Sequence, residues 1–240
     1  MATRLMILSV SVVLFSVLAG CASTSTEEEL LEVEVSENNP GNRDENPSEM
    51  KDYSHLTTAN TVSDVVNHPA FQGFGRYILP LEWRYDPDMK LGNIPSLLPY
   101  HNYVDAGRAV GYINEMIYMV GNGKQLYYDL GRKDAGLFFF PGNPGAPFAV
   151  FCPGGGFSYV GSIHEGFPLA LELSKKGYNA FVIQYSVDRG AQSAVEDLSA
   201  GIDYIFAHAS ELGVSTDDYS VWGGSAVARM AAYIGSYTPA

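Results

Sequence analysis

Hydrophobic and polar positions divide the 240-residue chain into three unlike stretches. An apolar run from Leu5 to Leu18 comes first, a polar and then acidic stretch extends to about Asp52, and from about Thr61 the apolar positions recur at structured periods. Between Asp105 and Val120 the residues Val110, Ile113, Met116, Ile117 and Val120 repeat at helical spacing, and Gly121-Asn122-Gly123 ends the run, which predicts one helix packed on a core. Lys124 to Leu130 and Gly136 to Phe140 are short apolar or aromatic runs joined by a polar, glycine-containing turn, which predicts an antiparallel pair. Pro147–Cys152, Asn179–Tyr185 and Tyr219–Trp222 are nearly continuous apolar runs of strand length. The stretch with Phe167, Leu169, Ala170, Leu171 and Leu173 ends at Lys175-Lys176-Gly177 and predicts a helix between the first two. Ala194 to Leu212, with Val195, Leu198, Ile202, Ile205 and Phe206 apolar and Gly213 as its stop, predicts a helix before the third. Strands that are apolar throughout, alternating with helices, specify a parallel sheet covered on both faces. Function in such a sheet sits at the carboxyl ends of the strands. His68–Pro80 and Ile94–Tyr103 mix aromatics with breakers and predict irregular segments packed on the core.

Composition narrows the function classes. At 46% hydrophobic residues the chain can bury one domain's core, and a formal charge of −13 leaves no basic face to neutralise nucleic-acid phosphates. Its two cysteines, Cys21 and Cys152, stand in unlike contexts and predict no disulfide framework. Arg4, the apolar run and Leu18-Ala19-Gly20-Cys21 form a signal-peptide pattern, with an apolar run shorter than the roughly 20 residues that span a bilayer. It resembles a bacterial lipoprotein lipobox. The resemblance implies a signal peptide over residues 1–20, acylation of Cys21, and a protein exported to the bacterial cell envelope and held on a membrane by that lipid. Residues 21–60 then read as an acidic disordered tether, because so charged a stretch buries too little to offset its ordering entropy. Residues 61–124 form an irregular and helical N-terminal segment, and residues 125–240 the main α/β unit.

Chemistry concentrates in two glycine-containing turns at strand ends. Tyr219-Ser220-Val221-Trp222-Gly223-Gly224-Ser225-Ala226-Val227 reads as a strand, a sharp turn bearing a serine, and then a helix, the layout of a nucleophile elbow. That motif wants small residues two before and two after the serine; Gly223 fits, whereas Val227 adds bulk of the kind that costs about 1–3 kcal/mol when overpacked. Gly154-Gly155-Gly156 follows the first parallel strand and allows backbone amides to approach a substrate oxygen. One half of an oxyanion hole is expected there and the other at the amide of Ala226, the residue after the serine. The loop lacks both the phosphate-loop Lys-Ser/Thr ending and a G-x-G-x-x-G fingerprint, and no spacing resembles a metal site, so neither a cofactor nor a metal is expected. Cys152 reads as a small core residue, Tyr159 as an aromatic over the loop or a pocket wall, and Asp188 and Asp197 as solvated or helix-associated.

Pro153-Gly154-Gly155-Gly156-Phe157-Ser158-Tyr159, His164-Glu165-Gly166, Lys176-Gly177-Tyr178-Asn179-Ala180-Phe181 and Trp222-Gly223-Gly224-Ser225-Ala226 together resemble the α/β-hydrolase fold from about Tyr127 onward. The nearest branch is that of bacterial carboxylesterases and of hormone-sensitive-lipase-like or acetyl-xylan-esterase-like enzymes. This implies a three-layer α/β-hydrolase sandwich, its sheet mostly parallel with an N-terminal antiparallel pair. It also implies a serine hydrolase of short-chain carboxylic esters working through an acyl-enzyme, with carbohydrate esters as one substrate class. Ser225 would be the nucleophile, and Gly155, Gly156 and Ala226 the oxyanion donors. Pro153 departs from the family, many of whose members carry histidine there. The family's triad continues from serine to an acid and then a histidine, yet Ala226–Ala240 contains neither. The expectation is therefore a nucleophile half without its acid and base, on a sheet lacking its later strands. His164, the one histidine near the glycine loop, is either a substitute base or a loop residue at a helix start. Two other readings stay open: a serine peptidase of the prolyl-oligopeptidase-like branch, and a non-catalytic truncated lipoprotein.

Overall fold

A computed structural model describes residues 51–97 and 104–236. The signal peptide, Cys21 and most of the acidic tether lie outside these residues, as do His101 and the end of the irregular stretch beyond Leu97. A short helix α1 (Val62–Val66) and several 3-10 turns lead to α2 (Ala106–Gly121), which Asp105 caps by accepting the Arg108 amide at 2.7 Å. Then come β1 (Tyr127–Arg132), β2 (Ala135–Phe140), β3 (Phe148–Cys152), α3 (Phe167–Lys175) and β4 (Asn179–Gln184). They are followed by α4 (Gly190–Ala207), α5 (Ala209–Leu212), β5 (Tyr219–Gly223) and α6 (Ala228–Ser236).

The strands form one five-stranded sheet in the order β1-β2-β4-β3-β5. β4, β3 and β5 run parallel, and the expected antiparallel pair extends the same sheet because β2 also lies antiparallel to β4. Alternation along the strands sorts their side chains onto two cores. Phe138, Phe140, Ala149, Phe151, Ala180 and Val182 share one with α2, α3 and the irregular segment. Leu137, Phe139, Phe148, Val150, Cys152, Phe181 and Ile183 share the other with α4 and α6. The result is a three-layer α/β sandwich. Each fully buried Phe, Leu or Ile contributes about 1.5–3 kcal/mol, and β2, β3 and β4 are buried at every position. The apolar strands of the sequence are apolar because both faces of the sheet are covered.

Two boundaries differ from expectation. Packing starts at Lys51, inside the residues read as tether: the Lys51 amide donates to the Gly121 carbonyl, and Leu56 is buried. The amide side chain of Asn114 on α2 both accepts from the Leu56 N–H and donates to the Leu56 carbonyl, each at 2.8 Å. One side chain thus satisfies a stretch of backbone that composition marks as solvated. The helix expected over Ala194–Leu212 breaks at His208, whose ring stacks on Tyr204 at 4.0 Å with Nδ1 2.9 Å from the Tyr204 carbonyl oxygen, ending α4 before α5 begins.

Candidate active site

β3 and β5 are parallel neighbours, and their last residues, Cys152 and Gly223, are register partners. Adjacent strands lie about 4.8 Å apart, so the turns that follow leave the same sheet edge side by side. One is the glycine loop and the other is the serine turn.

Ser225 is exposed and left-handed, with φ of 54°. A non-glycine residue there stores about 1–3 kcal/mol of strain, and an elbow uses that strain to push the hydroxyl clear of the sheet. A Cβ on Gly223 would stand 2.7 Å from the Val227 carbonyl oxygen, so the backbone of the returning turn is what demands a glycine two residues before the serine. Val227, the departure from the motif, is fully buried in the core that holds Val150, Cys152 and Met230. Its bulk is accommodated away from the hydroxyl. Ala226 follows Ser225 in the first turn, where backbone amides have no helical acceptor.

The glycine loop is shaped by its own backbone. Gly155 has φ of 147°, and a Cβ there would fall inside the Tyr159 carbonyl oxygen. Ser158 and Tyr159 donate to the Gly155 carbonyl at 3.0 and 3.3 Å, and Gly161 donates to the Gly154 carbonyl at 2.9 Å. The amide of Gly154 is taken: it donates to Glu165 Oε2 at 2.6 Å. No hydrogen bond shown among the described residues uses the amides of Gly155 or Gly156, and Gly156 is exposed to open space. Gly155 and Gly156, two of the three residues expected as oxyanion donors, thus carry amides with no protein acceptor shown among the described residues. Their base is pinned by Tyr185, fully buried, whose hydroxyl donates to the Pro153 carbonyl at 2.9 Å. Burial pushes that phenol well above its ordinary range, so it remains a donor.

Neither role, of Glu165 or of Tyr185, has a signal in the sequence. Glu165 lies in a stretch that sequence already marks, but the marking does not say which amide it holds. His164 occupies a π-helical turn, Ser162–Gly166, with its ring almost wholly buried and Nε2 3.5 Å from Glu165 Oε1. Of its two readings, the turn at a helix start matches this position.

Cys152 sits in the core as expected. Burial pushes its thiol up to about 12, so it stays protonated and unreactive at neutral pH. Because the folded state favours the neutral thiol, that contribution to stability is complete below the ordinary thiol range and is lost as pH rises from there toward 12. Asp197 is helix-associated but not solvated: it is fully buried and accepts from Arg132 Nε at 2.5 Å, the Ser186 amide at 2.9 Å and the Ser186 hydroxyl. It joins α4 to the end of β4 and to the β1–β2 hairpin. Asp188 is exposed and left-handed at φ 54°. Among the described residues, no group of three His, Cys, Asp or Glu could hold a metal ion. A strained exposed serine and uncommitted backbone amides thus stand at one edge of a mixed sheet.

Known proteins resemble the part of the chain that builds this edge. The family profile described as BD-FAE matches residues 141–239. An acetylxylan esterase of Xylanibacter ruminicola is 29% identical over 102 residues, 42% of this chain and 21% of that protein. Among solved structures, a sugar hydrolase from Lactococcus lactis is 26% identical with a TM-score of 0.42, covering 47% of each chain. An acetyl ester-xyloside bifunctional hydrolase from Caldicellulosiruptor lactoaceticus is 24% identical with a TM-score of 0.40, covering 45% of this chain and 41% of that one. The chain thus spans about a fifth of the length of the curated relative that it matches, and under half of these structures.

Proposed function

We propose that the chain carries the nucleophile and oxyanion half of a serine hydrolase acting on short-chain carboxylic esters, with acyl groups on carbohydrate as its substrate class. The observation that carries this reading is the Cys152–Gly223 register, with left-handed Ser225 on one side and the uncommitted amides of Gly155 and Gly156 on the other. The likeness to an acetylxylan esterase supports the choice of substrate.

Ser225 Oγ attacks the ester carbonyl carbon and its proton passes to a general base, a role that nothing among Ala226–Ala240 can fill. The carbonyl oxygen becomes an oxyanion held by the amides of Gly155, Gly156 and Ala226. Collapse of the tetrahedral species breaks the carbon–oxygen bond to the alcohol, which leaves with a proton from the protonated base. Water then attacks the acyl-Ser225 ester by the same route in reverse and releases the acid. Each oxyanion donor contributes about 2.7–4 kcal/mol of transition-state stabilisation. Turnover of a short p-nitrophenyl ester by protein expressed from its own gene tests the reading. Ser225→Ala is expected to lower kcat by about 10⁴-fold or more. Equal turnover by the variant would reject Ser225 as nucleophile.

The N-terminal pattern completes the proposal. Residues 1–20 are removed as a signal peptide, Cys21 is acylated, and the acidic stretch suspends the folded unit from a cell-envelope membrane. The intact mass of membrane-extracted protein is expected to begin at a lipid-bearing Cys21. A species that keeps Met1 and carries no lipid excludes this.

A further inference from the structure

The segment that follows Leu79 crosses the carboxyl edge of the sheet beside the glycine loop and is anchored there by Glu82. Its Oε1 accepts from Gln184 Nε2 at 3.2 Å, at the last residue of β4. The next residue, Trp83, sets its ring edge-on to Tyr159 with centroids 6.2 Å apart and planes at 65°. Tyr159 is the residue whose carbonyl closes over Gly155, and only 4% of it is exposed. Trp83 rests on that buried ring and is itself 50% exposed, with Tyr85 close behind it in sequence at 55%.

A large apolar ring gains most by burial, and this one is fixed to the loop of the proposed site while half of it is left open to water. A small acyl group could not cover it. Strand order places β4 and β5 on opposite sides of β3, so the Glu82 anchor at the end of β4 and the serine turn after β5 flank the glycine loop. A half-exposed indole fixed to this loop suits a ligand ring that is apolar on one face and hydrated on the other, as a sugar ring is. The negative face of the indole attracts the polarised C–H groups of such a ring.

Building on the ester-hydrolase reading above, we propose that Trp83 is a stacking platform for the sugar residue next to the acylated one, so that the protein prefers acylated oligosaccharides to simple esters. Trp83 binds substrate and takes no part in bond making.

The test compares acetylated xylo-oligosaccharides with ethyl acetate in protein expressed from its own gene. Trp83→Ala is expected to raise KM for the oligosaccharide about tenfold with kcat kept within about twofold, to leave ethyl acetate kinetics unchanged, and to be largely rescued by Trp83→Phe. Calorimetric titration of Ser225→Ala with unacetylated xylo-oligosaccharide is expected to give binding that the added Trp83→Ala change removes. Binding of this kind without any ester turnover would uphold the platform and reject the ester-hydrolase reading. Equal losses on both esters, or oligosaccharide binding that persists without the indole, would overturn the platform.

Discussion

Gly155→Ala is expected to lower kcat/KM on a short-chain ester by about 10²–10³-fold, the loss that follows when an oxyanion donor is displaced. The new Cβ would fall inside the Tyr159 carbonyl oxygen, a backbone atom tied into the following turn, and φ of 147° is closed to alanine. The loop must therefore move, and the two uncommitted amides move with it. Gly156→Ala supplies the control. Gly156 is also left-handed, at φ 61°, but a Cβ there meets nothing within 4 Å, so only the conformational cost of about 1–2 kcal/mol remains. Steady-state kinetics on both variants, with circular dichroism to establish that the sheet persists, separate the two. Full activity in a folded Gly155→Ala protein would remove the loop from the site.

Asp197→Ala is expected to destabilise the protein by about 2–3 kcal/mol, because the buried Ser186 amide and hydroxyl lose their shared acceptor while Arg132, a third exposed, can be rehydrated. Arg132 would keep Glu196 at 3.5 Å. Because a domain of this size loses about 2–4 °C per kcal/mol, the thermal midpoint should fall by on the order of 10 °C. Asp197→Asn keeps the shape and one acceptor oxygen and should fall between variant and parent. Thermal unfolding in the absence of ligand measures both. A midpoint within about 2 °C of the parent, equivalent to under 1 kcal/mol, would show that the network adds little.

What sequence made legible was local in its signal. β3, β4 and β5 announce themselves as apolar runs because the sheet is covered on both faces, and the serine turn is marked by a glycine pair between strand and helix. The contacts that fix the loop join residues with no common pattern. Glu165 reaches back to Gly154, Tyr185 reaches to Pro153, and Asp197 ties Ser186 to Arg132. Each pair is remote in sequence or crosses a turn, and neither partner reveals the other by periodicity. Asn114 hides the packed status of Leu56 in the same way, since a polar helix residue ordinarily points to water. Trp83 falls in a stretch with neither helical nor strand period, so only the fold brings it against the glycine loop.

Acylation of Ser225 is the central step of the proposed reaction. Protein expressed from its own gene, mixed with a short-chain ester and quenched in acid before steady state, should yield on digestion a peptide containing Ser225 that carries one acyl group. Ser225→Ala should yield none. An acyl group located on any other residue, or turnover with no acyl-Ser225 at any quench time, would contradict the account.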